Sequence, residues 1–215
     1  MKASYSRVTL LRSRYAGKVT VPGPRRLPRA IREQQMLDAA VAAFSASGYH
    51  EASMDDIAAR AGISKPMVYA YLGSKEELFL ACLHREATRL IEAMVRSAAP
   101  DLAPEEQLLR GLRSFFGFVA EHRAGWRVLY RQARGPFAAE LATIRSRMVE
   151  VAAGLLRRAG VPAGRDVTVL AYALVGACES LADWLVDNDD EPAGAVATRL
   201  MNFVWPGVSR EASLL

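Results

Sequence analysis

Apolar residues recur along this chain at a helical period and never alternate strictly over any length. Leu37, Ala40, Val41 and Phe44 stand at i, i+3, i+4 and i+7, one stripe of an amphipathic helix. Gly48 ends that helix in the usual C-terminal position. Ser53 opens a second helix, with Asp56 three residues on as a weak capping box, and Met54, Ile57, Ala58 and Ala61 repeat the stripe before Gly62 stops it. Ser64 caps a third, short helix that tolerates Pro66, because the first turn lacks intrahelical N–H partners anyway. Gly73 ends it after Leu72, and Ser74 with Glu77 forms a better capping box for a long helix to about residue 97. Further helices are predicted at 104–123, 124–134, 136–160, 166–188 and 192–205, broken by Gly135-Pro136, Gly160-Val161-Pro162 and Glu191-Pro192. No internal repeat is visible. The fold class is all-α.

Residues 53–78 read SMDDIAARAGISKPMVYAYLGSKEEL, two short helices joined by a turn holding one glycine. That is the plan of a helix-turn-helix. Ile57, Ala58 and Ile63 can bury with Val68 and Leu72, while the small Ala58 and Ala61 let the helices cross closely. The other side of the second helix then presents Lys65, Pro66, Met67, Tyr69, Ala70 and Tyr71. A recognition helix needs such a face, since its N-terminal residues reach base edges in the major groove. Ser53, Ser64 and Ser74 each lie at a helix N-terminus, where free N–H groups suit phosphate. Tyr69, Tyr71 and Lys75 add hydroxyl donors and a charge.

The run from Gly62 to Leu78, GISKPMVYAYLGSKEEL, together with the helix before it, resembles the DNA-binding signature of the TetR (tetracycline repressor-like) family. The resemblance covers about a quarter of the chain; the rest agrees only in the order and length of its helices. It implies a three-helix helix-turn-helix domain followed by a helical domain for ligand binding and dimerisation. It also implies roles by position. Ser53 and Ser64 would touch phosphate, Lys65, Pro66, Met67 and Ala70 would face base edges, Tyr69 would lie near both, and Tyr71 and Lys75 would clamp phosphates. The function implied is a cytoplasmic, ligand-responsive repressor that binds a near-palindromic operator in double-stranded DNA as a homodimer. On this reading residues 1–28 are an arm, 29–80 the DNA-binding domain and 81–215 the ligand-binding and dimerisation domain.

Charge sharpens that picture. Of the formal +5, nine positive charges precede Glu33 with no acid among them, which leaves a net −4 on the remainder. Val-Pro-Gly-Pro and Leu-Pro bar regular structure near 22–28, so the basic segment reads as a disordered arm. It either contacts DNA or is a solvated, non-native extension. Between Glu33 and Leu80, seven acids outnumber Arg60, Lys65 and Lys75. Since non-specific affinity follows phosphate neutralisation, one such module should bind weakly, and a dimer would compensate.

In the second half, 167–178 is apolar nearly all round, as in a helix buried on two sides. In the last helix Ala197, Leu200, Met201 and Val204 form a stripe that Trp205 widens. Two such helices from each subunit would build a four-helix seam, which places Leu200 in the dimer interface. Phe115, Phe118, Trp126, Tyr130, Tyr172 and Trp184 are each core candidates, and in the resembling family such helices line a cavity. A cavity with these walls would take a mostly apolar small-molecule effector. Glu179, inside an apolar helix, needs a partner: Arg127, Arg131 or a cationic group on a ligand.

Other chemistry finds no support. His50, His84 and His122 lack metal-ligand spacing, and no phosphate loop or nucleophile elbow occurs, so no catalytic, metal or cofactor residues are assigned. Cys82 and Cys178 suit a reducing compartment rather than a disulfide framework. No secretory signal is read, and the longest apolar stretch falls short of the roughly 18 residues of a span, so no membrane partner is expected. An all-α enzyme or interaction module that merely carries a helix-turn-helix is the competing reading.

Overall fold

The structure, a computed structural model, describes residues 28–132, 135–161 and 167–212. In chain order its helices are α1 (Arg29–Glu51), α2 (Met54–Ala61), α3 (Lys65–Leu72), α4 (Lys75–Arg96), α5 (Pro104–Glu121), α6 (Arg123–Trp126), a π-helical segment (Arg127–Gln132), α7 (Ala138–Arg158), α8 (Val167–Asp187) and α9 (Ala193–Ala212). No strand occurs among the described residues. The arm at 1–27 lies outside them.

The N-terminal helices follow the pattern of their sequence. Leu37, Ala40, Val41 and Phe44 are all buried, and the backbone leaves the helical region at Gly48, with φ 82°. Gly62 adopts the left-handed conformation that closes α2. Ser74 and Glu77 form the full capping box: the Glu77 N–H donates to Ser74 Oγ at 3.2 Å and the Ser74 N–H to Glu77 Oε2 at 2.7 Å. A Cβ at Gly73 would collide with that same carboxylate, so the box itself requires glycine there. Ser64 departs from expectation. Its carbonyl accepts from the Met67 and Val68 N–H groups, but its hydroxyl makes no capping bond.

α1 is tied to the body at two places. Phe44 meets Phe79 edge-on at 5.1 Å, and Phe79 lies 4.4 Å from Phe137, the residue that opens α7. Beside this cluster the buried Glu86 accepts from Arg85 at 2.7 Å and Arg89 at 3.3 Å, while Arg85 also reaches Asp38 on α1 at 2.8 Å. The Glu86 carboxylate fills the space a side chain at Gly125 would need, so α6 packs directly on this ion cluster.

Where one helix was expected at 124–134, the chain forms the four-residue α6 and then a π-helical turn. Three arginines tie this stretch to the end of α8. Arg123 donates to the Leu185 and Val186 carbonyls at 2.9 and 3.1 Å, Arg127 to Val186 at 3.3 Å, and Arg131 to Asp183 at 2.6 Å and to Asp187. They cap the carbonyl end of α8, where positive charge is favoured, and bind the segment to it. Hydrogen bonds from Arg131 hold the Asp187 carboxyl below its usual range.

α8 packs mainly on α7, and α9 mainly on α5. By length and composition α8 could cross a membrane. Its buried face, including Ala171, Leu174, Val175 and Cys178, accounts for that apolar character within the core. The stripe Ala197, Leu200 and Met201 of α9 is buried against the chain's own body, which corrects its assignment to a subunit seam: the stripe answers α5, not a second copy. α9 also continues through Pro206 to Ala212, anchored by buried Val208. Both cysteines are free and buried, and burial pushes each thiol up to about 12.

Candidate functional site

The exposed side of α3 is the first candidate. Val68 of this helix is buried and Leu72 is half-buried against the core, which fixes one side of α3 on the domain. Met67 is 40% and Tyr69 45% exposed, unusual for such side chains, and Lys65, Pro66 and Ala70 stand exposed beside them. The sequence-predicted set is thus brought to one face. Ser64 lies at its leading end with a hydroxyl that no capping bond occupies. Ser53 caps α2: its hydroxyl oxygen accepts from the Asp56 N–H at 3.0 Å, which leaves its O–H proton to donate to a phosphate.

Three contacts around this face were not legible beforehand. Lys65 Nζ donates to Asp55 Oδ2 at 2.9 Å, a bond that raises the lysine above its ordinary value. Asp55 therefore aims the only lysine of α3. Arg29 lies over the Tyr71 ring at 5.2 Å, bringing a cation from the start of α1 to the residue that the resemblance assigns to phosphate. Lys75 donates to the His50 carbonyl at 2.8 Å and sits 5.0 Å over the Tyr49 ring. These anchor the ammonium without neutralising it, and leave protons for another acceptor. Spacing along one helix cannot reveal such pairs, since each joins different helices.

The second candidate is the interior of the C-terminal half. Trp126 stacks on Tyr130 at 5.4 Å and meets Phe115 edge-on at 5.6 Å, so these three predicted residues do converge. Trp126, Tyr130 and Glu179 border a narrow pocket of about 20 Å³ with Leu90, Ile144 and Arg145. Phe115 borders another of about 20 Å³ with Met94, Leu108 and Leu174. Met148 borders both. Trp126 Nε1 is buried and has no hydrogen-bond partner among the described residues. An unsatisfied buried donor costs about 1–3 kcal/mol, so the site is poised for an acceptor.

The other predicted wall residues are elsewhere. Phe118 stacks on His122 at 4.2 Å, on the outer side of α5. Tyr172 and Trp184 are 47% and 43% exposed on α8. α7, α5 and the π-helical segment pack on α8 and leave these two side chains uncovered within the chain. Glu179 is paired with Arg145 of α7 at 3.1 Å rather than with Arg127 or Arg131, which the end of α8 engages.

Known proteins bear on both regions. Residues 36–82 match the model for bacterial regulatory proteins of the tetR family, and residues 104–207 that for the tetracyclin repressor-like C-terminal domain. The HTH-type transcriptional activator FasR of Mycolicibacterium smegmatis is 33% identical over 191 residues, covering 86% of each chain. A TetR-like transcriptional regulator from Rhodococcus sp. RHA1 superposes with TM-score 0.75 at 48% identity, over 86% of this chain and 99% of that one. FadR of Bacillus subtilis, solved in complex with stearoyl-CoA, shares the fold with TM-score 0.71 at 20% identity, over 80% of this chain and 96% of its own.

Proposed function

The chain belongs to the TetR family of bacterial transcriptional regulators, which bind DNA and are not enzymes, and from that premise we propose a homodimeric, cytoplasmic, sequence-specific repressor. The exposed face of α3 carries this reading. Lys65, Pro66, Met67 and Ala70 read base edges, Tyr69 lies near base and backbone, and Ser53, Ser64, Tyr71 and Lys75 hold phosphates. A two-fold pair of such faces grips two half-sites of a near-palindrome.

Release follows from a mostly apolar effector with an oxygen-bearing head. The orphan Trp126 N–H and the Arg145–Glu179 pair supply polar contacts at one end of the interior, and Met94, Leu108 and Leu174 an apolar path at the other. Each pocket has room for about one water, so a ligand must part the helices. Met148 between them, flexible at three bonds, is the side chain that can open a continuous channel. A fatty acyl group suits such a channel, and the stearoyl-CoA complex of FadR from Bacillus subtilis points the same way. α4 borders both pockets through Leu90 and Met94 and begins at Lys75 beside α3, so parting the helices moves the reading face. The effector shifts the equilibrium only by its preference for the parted form.

A second reading, activation, is favoured by the name of the FasR relative. The DNA grip is the same in both, and the operator's position relative to the promoter sets the sign. Sequencing DNA captured by the purified protein, then titrating the captured sites with acyl compounds, tests the proposal. Capture without sequence preference would refute the operator, and unchanged affinity with every acyl compound would refute the effector.

A further inference from the structure

A separate groove of about 640 Å³ lies between the outer sides of α4 and α5. Its size falls within the about 300–1,000 Å³ typical of small-molecule sites. Arg89 and Arg96 stand on the α4 rim, and Arg113 faces them from α5. Arg89 and Arg96 are partly engaged, with Glu86 at 3.3 Å and Glu92 at 3.2 Å, and Arg89 reaches Asp38 at 4.0 Å. Arg113 makes no ion pair among the described residues. Glu121 is the one acid bordering the groove. The floor is open because Ala93 and Gly117 are small, and a Cβ at Gly117 would meet no atom within 4 Å. The His122 ring, stacked on Phe118, provides a flat wall.

Guanidinium groups facing one another across a groove repel, and an anion between them removes that repulsion. Their planar forks match phosphate oxygens in pairs. A single phosphate would leave most of this volume empty, whereas the flat imidazole wall suits an aromatic base. We propose that the α4–α5 groove binds a nucleoside diphosphate or a similar organic phosphate carrying an aromatic base. The groove shares no lining residue with the interior pockets and needs no apolar tail. The proposal therefore stands apart from the effector reading.

The test is calorimetric titration of the full-length protein, free of DNA, with ADP, inorganic pyrophosphate and adenosine. ADP binds at one site per chain, pyrophosphate more weakly, and adenosine without detectable heat. Arg113→Gln weakens ADP binding about tenfold or more, the usual effect of losing hydrogen bonds to a charged group. Arg113→Lys falls between the two. Gly117→Leu, which has room to fold, abolishes binding by filling the floor. Each variant's melting curve should match that of the parent chain. Absence of saturable ADP binding would overturn the proposal, as would Arg113→Gln and Gly117→Leu chains that bind as the parent does. Loss of ADP binding in Lys75→Ala would also overturn it, by placing the phosphate at the DNA-reading face instead.

Discussion

Replacing Phe203 by glutamate should separate the proposed homodimer into folded monomers. Phe203 projects from α9 with 83% of its surface exposed, and Val169, Tyr172 and Trp184 are likewise exposed on α8. Within the chain α9 packs mainly on α5 and α8 mainly on α7. Phe203, Val169, Tyr172 and Trp184 are the large apolar side chains that the proposed partner subunit would cover. Fully burying one phenylalanine contributes about 1.5–3 kcal/mol. A two-fold axis repeats the substitution, so the loss is about 3–6 kcal/mol, or roughly 10²–10⁴ in the dimer dissociation constant. Sedimentation velocity over a concentration series reads that shift, and Trp184 emission should move to the red as its surroundings become wet. Leu200→Glu is the contrasting variant. Leu200 is buried against the body of its own chain, so the new carboxylate finds no water. Stranding a charge there costs several kcal/mol against a total stability of about 5–15 kcal/mol. Its signature is a lower melting temperature rather than clean dissociation. An unchanged dimer constant for Phe203→Glu, or a normally melting Leu200→Glu monomer, would refute the placement of the interface.

On the DNA face, Lys75→Ala should weaken binding to operator and random DNA alike, since phosphate contacts carry no sequence information, while Met67→Ala should alter base preference; gel shifts against both DNAs distinguish them. Ser74→Ala removes the hydroxyl of the capping box and should cost about 1 kcal/mol in urea unfolding. The Ser74 backbone N–H depresses the Glu77 carboxyl, so this contribution is complete at neutral pH and is lost as pH falls through and below the usual carboxylate range. Glu77→Gln should flatten that acid limb. Trp126→Phe removes the orphan N–H together with some volume, two effects of opposite sign, and should stay within about 1 kcal/mol of the parent, where Trp126→Ala costs about 3–5. Acyl titrations of Trp126→Phe should also show weakened release of DNA, and undiminished release would take the indole out of the effector site.

Most of the helix-turn-helix was legible in the sequence because its signals are local. Capping residues, glycine stops and the 3.6-residue stripe act within one or two turns, so Ser53, Gly62, Ser74 and Val68 could be placed without knowing what lies across from them. The outward face of α3 follows from the inward one, since a short helix anchored through Val68 and Leu72 leaves Met67 and Tyr69 on its other side. The interior of the second half is another matter. Periodicity says that a helix has an apolar side, but not which neighbour covers it, and it is silent on a side that only another chain would cover. Leu200 and Phe203 show the difference: both lie on α9, yet only the packing of α9 on α5 decides that one is core and the other surface. Tyr172 and Trp184 share their residue class with Trp126 and Tyr130, but the packing of α8 among its neighbours leaves them exposed. Glu179 announced its need for a partner by its setting in an apolar helix, but the choice of Arg145 over Arg127 and Arg131 was made by helix crossings. The chain alone determined which segments coil and which side of each avoids water; tertiary structure decided who meets whom, because contacts between helices depend on crossing geometry that no local signal encodes.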